Sequence, residues 1–187
     1  MLARTVRPSR AVRGGAVTIG ALTFLVACSA SPSTDGPPEI GGPIGSSPDI
    51  GSVCLQVRSG EPHDFTLGFN IVINKGTEPA EIGQVELLDA HDLSITKAWV
   101  AVTDAAIGNH SRFPPTRKAM RASDLDWASR AALPGATAEP NVRYNLILQV
   151  AATSRFPAAA GIRFTYATEG KEHAWQTNIG FTVEDPC

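Results

Sequence analysis

No apolar run in this sequence is long enough to cross a bilayer as a helix. The charge-free stretch after the N-terminal arginines has an apolar core of 12 residues, Ala16 to Ala27, which as a helix covers about 18 Å of a roughly 30 Å hydrocarbon layer. No acid occurs before Asp35, although Arg4, Arg7, Arg10 and Arg13 all do. Local catalytic signatures such as Gly-x-Ser-x-Gly and His-Glu-x-x-His are missing, so a nucleophile or metal site would have to be built from scattered residues. Ligands for soft metals are scarce, with 3 Cys, 4 His and 2 Met in the whole chain, and a copper or zinc site needs several of these to converge. The expectation is no metal and no cofactor. A formal charge of -2 gives no electrostatic reason to expect nucleic acid as a partner.

What is present begins with a targeting signal. A cationic head followed by a short apolar core is the pattern of a secretory signal peptide, and this one ends in Leu25-Val26-Ala27-Cys28. The segment 1–28 resembles bacterial lipoprotein precursors, whose lipobox sets small or aliphatic residues before a Cys. The resemblance implies cleavage before Cys28 and a diacylglyceryl group on its thiol. Two acyl chains give stable membrane retention where one gives only marginal binding. Arginine outnumbers lysine 12 to 4, which points towards the actinobacterial members of that group. Past residue 27 the chain carries 12 basic and 18 acidic side chains, net -6, so an acidic body follows a basic head.

Residues 29–52 hold 5 Pro, 5 Gly and 6 Ser among 24. So little apolar surface cannot offset the entropy of ordering, and the expectation is a lipidated N-terminus and disordered linker over 28–52. The run Gly41 to Ser47 is no phosphate loop, because no Gly-Lys-Ser/Thr follows it.

From Val53 the pattern has period 2. Phe65, Leu67, Phe69, Ile71 and Ile73 alternate with Thr66, Gly68, Asn70 and Asn74, and only Val72 breaks the alternation. Similar stretches at 53–58, 83–89, 94–102, 142–151, 162–168 and 174–183 make seven strands. The last two flank Glu169-Gly170-Lys171-Glu172, a hairpin turn. Seven short alternating strands predict an all-β domain over 53–187, an immunoglobulin-like β-sandwich of seven to eight antiparallel strands, with an up-and-down barrel as the alternative. Trp99, Trp175, Tyr144 and Tyr166 fall in register on those strands and are expected in the core. Residues 84–187 are similar to small secreted actinobacterial proteins of unknown function. The likeness rests on Phe113-Pro114-Pro115, Trp127, Arg130, Leu133-Pro134-Gly135, Asn145 to Val150, and Arg163 to Tyr166 with Gly170-Lys171. It implies no activity.

Between Val102 and Val142 periodicity is lost. A structureless loop that long is uncommon in a compact domain, so it either serves a function or holds an unseen element. Arg112, Arg117 and Arg121, with Trp127, are the candidate partner-binding residues there. A solvated crossover, whose cations pair weakly with Asp124 and Asp126, is the plainer alternative.

With Cys28 assigned to lipid, Cys54 and Cys187 are an even pair in an oxidising compartment and are expected to form a disulfide. Seven strictly alternating strands would leave these two cysteines at opposite poles. Closing the bond then requires an eighth strand within 103–141 or a chain end that doubles back. The functional expectation is an exported lipoprotein at the extracytoplasmic face of the cell membrane, held there through lipid on Cys28, whose non-catalytic module contacts an envelope protein or glycan. An envelope carrier of a small ligand or metal is the alternative. A hydrolase would need His63, His110 or His173 beside a Ser and a carboxylate in one pocket.

Overall fold

The computed structural model describes residues 38–45, 50–56, 64–154, 156–184 and 187, so the signal peptide, Cys28 and His63 lie outside the described residues. The strands are β1 (Glu39–Ile40), β2 (Ile44–Gly45), β3 (Ile50–Gln56), β4 (Asp64–Asn74), β5 (Ala80–Leu88), β6 (Leu93–Val102), β7 (Ala131–Ala132), β8 (Ala136–Ala138), β9 (Arg143–Ala152), β10 (Ala158–Ala159), β11 (Gly161–Thr168), β12 (Lys171–Gln176) and β13 (Asn178–Glu184). One short helix, α1 (Arg117–Ala122), and a single 3-10 turn, Trp127–Ser129, interrupt them. The fold is an all-β sandwich. One sheet runs β1-β12-β11-β5-β8, the facing sheet runs β2-β4-β9-β6-β7, and a third, smaller sheet runs β10-β13-β3.

The core lies between the two large sheets. Ile82, Ile162, Phe164, Tyr166 and Trp175 come from one sheet and Phe65, Leu67, Val72, Val100, Leu146, Leu148 and Val150 from the other. Alternation put most of these residues inside, as period 2 requires. Two β-bulges move others. In β4 the register slips between Leu67, opposite Leu148, and Asn70, opposite Leu146. An extra residue turns every later side chain over, so Val72, the residue that broke the pattern, is the buried one and Ile71 and Ile73 are only half-buried. In β6 the slip falls between Ile95 and Lys97. Ile95 packs inward, Ala98 and Val100 follow it, and Trp99 is turned to the outside of the sandwich. The expectation that Trp99 joins the sandwich core is therefore corrected.

The seventh predicted strand is two. It breaks at Thr177, so that β12 stays with β11 while β13 leaves to pair with β3. That pairing is parallel, with Phe181 opposite Val53 and Thr182 opposite Cys54. Strict antiparallel alternation did not allow it, and it is what brings the two cysteines to one pole. Cys54 and Cys187 are disulfide-bonded with their Cα atoms 5.8 Å apart. The two short strands β7 and β8 do lie within 103–141, but the parallel pairing accounts for the closure.

The predicted linker boundary is also corrected. Residues 38–45 form a strap that belongs to the folded unit. β1 runs parallel to β12, β2 pairs with the end of β4, and Ile44 is buried in the core. A compositional argument counts the few apolar residues but not where they land, and Ile44 lands on prepared ground. Tyr166 Oη donates to the Gly41 carbonyl at 2.6 Å and accepts the Ile44 N–H at 3.2 Å. Pro43 accepts the Lys75 N–H at 2.9 Å. Gly42 has φ +89°, and a Cβ there would lie 2.5 Å from Tyr166 Oη, so only glycine fits the crossing.

Candidate functional site

The segment without periodicity is a cap on the outer face of the β4-β9-β6 sheet. Ile107 and Leu125 bury themselves on Ala101 and Ile147, and Trp99, Ala119, Met120 and Trp127 pack around them. Outward-facing β residues are ordinarily polar, so this apolar patch on the wrong face was the sequence signal that the segment folds back over it.

Three contacts seat the cap. Asn145, fully buried, donates from Nδ2 to the carbonyls of Gly68 at 3.0 Å and Asn70 at 2.8 Å, and its Oδ1 accepts the Ile107 N–H at 2.8 Å. The bulge in β4 frees the carbonyls that Asn145 satisfies. Next, residues 108–110 pair along the β4 edge: Gly108 donates to Gly68, and Thr66 and His110 exchange backbone hydrogen bonds at 2.9 Å. Last, Thr103 Oγ1 donates to the Ser123 carbonyl at 2.7 Å and ties the far side of the cap to its root.

On the cap's surface Trp99 and Phe113 stack at 5.3 Å with planes 7° apart, and Trp127 meets both rings at a tilt, 6.4 Å from Trp99 and 5.8 Å from Phe113. The Arg130 guanidinium lies 4.4 Å from the centre of Trp127 and 5.4 Å from that of Trp99, a cation–π geometry on two rings. Its Nη1 donates to the Trp127 carbonyl, while its Nε is buried without a hydrogen-bond partner.

Of the four residues singled out in the sequence, Trp127 is half-buried beneath Arg130, and Arg112, Arg117 and Arg121 are exposed. Arg117 and Arg121 stand on α1, and Arg112 precedes Phe113 of the aromatic cluster. None of the three arginines has an ion pair among the described residues. The acids expected to pair with them are used otherwise: Asp126 caps the 3-10 turn by accepting the Ala128 N–H at 3.0 Å, and Asp124 occupies a turn with φ +53°. Arg130, which belongs to the aromatic cluster more closely than any of them, was not among the candidate site residues.

A shallow groove of about 680 Å³ lies where the cap ends, lined by Asp64, Ser111, Arg112, Phe113, Ala151, Ala152 and Thr153. Its floor is the outer face at the end of β9, where Asp64 on β4 and Ser94 on β6 stand on either side of Ala151. One row further in, Gln149 stands between Thr66 and Lys97, and its side-chain amide donates to the Asp64 carboxylate. Ser94 and Lys97 have the Ser-x-x-Lys spacing of some acyl-transfer enzymes, and the β6 bulge puts both on this outward face. They sit on a strand, are exposed, and share no hydrogen bond.

Among the described residues the histidines do not gather here. His110 turns its Nε2 to the Ile107 carbonyl at 2.9 Å, His91 is exposed at a turn, and His173 stacks on Tyr166 at 5.3 Å beside the strap. Among the described residues no three His, Cys, Asp or Glu side chains assemble into a metal site.

No family model matches this sequence, and no curated protein does. Among solved structures the chain is similar to the N-terminal domain of PorA at 12% identity, over 71% of this chain and 87% of that one, with a TM-score of 0.28.

Proposed function

We propose that this chain is an exported lipoprotein, anchored at the extracytoplasmic face of the cell membrane by lipid on Cys28, whose β-sandwich is a non-catalytic interaction module. The lipobox Leu25-Val26-Ala27-Cys28 supports the anchor, and the open groove at the Asp64 end of the sandwich supports the module.

The strap enters the sandwich beside His173 and Asn74, whereas the groove opens at Asp64, the other end of the same 11-residue strand. At about 3.3 Å per residue, the two poles are separated by roughly 33 Å. A groove open along its length suits contact with a chain or a surface better than enclosure of a small cargo.

The test is the N-terminal peptide of the mature protein. Expected is an N-terminal Cys28 bearing a diacylglyceryl mass and, for Cys28→Ala, transfer of the protein from the membrane to the soluble fraction. A mature product with a free Cys28 thiol, or undiminished membrane retention of Cys28→Ala, overturns the anchor.

A further inference from the structure

We infer that the groove at the Asp64 end of the sandwich is a carbohydrate site that reads a neutral glycan chain with side chains alone; this rests on the module reading above and names the partner of that surface. Four observations carry it.

First, β9 is hydrogen-bonded to β4 on one side and to β6 on the other along the floor, with Ala151 facing both Asp64 and Ser94. The β9 backbone along the floor is spent on these two ladders, so an extended peptide lying across it has no β9 main-chain groups to join.

Second, the fixed charges offset one another. Asp64 and Arg112, one acid and one base, are the charged side chains among the described residues that line the groove, and they form no salt bridge. A net-neutral groove gives no long-range attraction to an anionic or cationic polymer.

Third, the polar groups suit hydroxyls. The Asp64 carboxylate is held by the Gln149 amide and keeps free lone pairs for hydroxyl donors. Arg112 offers a fork of donors to hydroxyl acceptors, Ser111 can both give and take, and the Thr153 hydroxyl, which donates to the Asp92 carbonyl at 3.4 Å, can take.

Fourth, one wall is aromatic. Phe113 lines the groove and is braced by its stack on Trp99, a rigid apolar plate for the C–H face of a sugar ring. Ala151, the outward-facing residue of the floor, leaves it low enough for a ring to settle there.

The experiment is a titration of the purified full chain with neutral hexasaccharides of gluco, manno and galacto configuration, beside dextran sulfate and oligolysine as charged controls. Tryptophan emission and saturation-transfer NMR are the readouts, because Trp99 stacks directly on the wall residue. Expected is a saturable response to at least one neutral series and none to the charged polymers. Asp64→Asn and Arg112→Gln should each weaken it about tenfold or more, the loss of one charge-assisted hydrogen bond. Ala151→Trp, which fills the floor, should abolish it, with melting temperatures of all three variants near that of the parent.

No response to any neutral series up to roughly 10 mM, the weak end of useful recognition, overturns the inference. So does a response that survives Asp64→Asn and Ala151→Trp, or a preference for a charged polymer. If crosslinking in the envelope instead yields a protein partner whose capture is blocked by Ala151→Trp, the glycan assignment falls and the interaction module stands.

Discussion

The Oδ1 of Asn145 accepts the backbone N–H of Ile107 at 2.8 Å while its amide fills the bulge of β4, so one side chain joins the sandwich to the cap that covers it. Asn145→Leu keeps the volume and strips these bonds, leaving the Ile107 N–H and the Asn70 carbonyl unpaired while the Gly68 carbonyl keeps the Gly108 N–H. Leaving buried backbone groups unpaired costs about 1 to 3 kcal/mol each when no water replaces the partner. The expected loss is about 2 to 4 kcal/mol by urea denaturation. A loss below about 0.5 kcal/mol would show that the cap is seated by its apolar contacts alone.

Gly68 tests the same seat by volume. A Cβ on Gly68 would lie 2.3 Å from Ile107 Cγ2 and 3.0 Å from the Gly108 carbonyl, and backbone on one side leaves little room to give. Gly68→Ala is expected to lift the cap, so that Trp127 becomes more accessible to acrylamide quenching while far-ultraviolet dichroism barely changes. Unchanged quenching would mean that the loop reseats without cost.

The strap should let go at alkaline pH. Burial raises the pKa of Tyr166 above its ordinary value of 10.0, and the hydrogen bond from Ile44 only partly opposes this. A group whose pKa is higher in the folded state favours folding below its unfolded pKa and loses that contribution as pH climbs through the folded value. Protease cleavage within 38–45 is therefore expected to stay slow through neutral pH and to accelerate above about pH 10. Tyr166→Phe, which removes both strap bonds, should cleave fast at every pH. A Phe variant as resistant as the parent would remove Tyr166 from the latch.

Arg130→Ala removes a cation from two rings and uncovers Trp127. At about 0.5 to 2 kcal/mol per desolvated contact, the variant should lose roughly 1 to 3 kcal/mol and its tryptophan emission should shift to the red. Emission identical to the parent would mean that the guanidinium does not shield the ring.

Reduction of Cys54–Cys187, a separation of 133 residues, should destabilise the domain by up to roughly 5 kcal/mol in the chain-entropy model. Equal melting temperatures with and without reductant would show that the parallel β3–β13 pairing holds the ends without the bond.

Most strands were legible because half-buried ribbons carry their own period: Tyr144, Leu146, Leu148 and Val150 all face inward as spaced. What the sequence hid was phase and partner. A bulge is one extra residue, and nothing in Ile95-Thr96-Lys97 marks it beyond an outward Trp99 that alternation assigns inward. Thr177 breaks a ribbon whose residues alternate straight through it. Ile44 sits among prolines and glycines, where an average over 24 residues erases a single anchor. The groove was illegible for another reason: Asp64, Arg112 and Ala151 are distant in the chain, and only the sheet's register brings them together.

The parallel partnership of β3 with β13 also sets an order of events. The first long strand finds its neighbour only in the last one, so a chain synthesised from its N-terminus cannot finish this sheet until nearly all of it has been made. Contacts so remote in sequence make for slow closure. A premature release of the body would leave the β3 edge bare, and late arrival of the C-terminal strand becomes the step at which the molecule is most open to chaperones, proteases and aggregation.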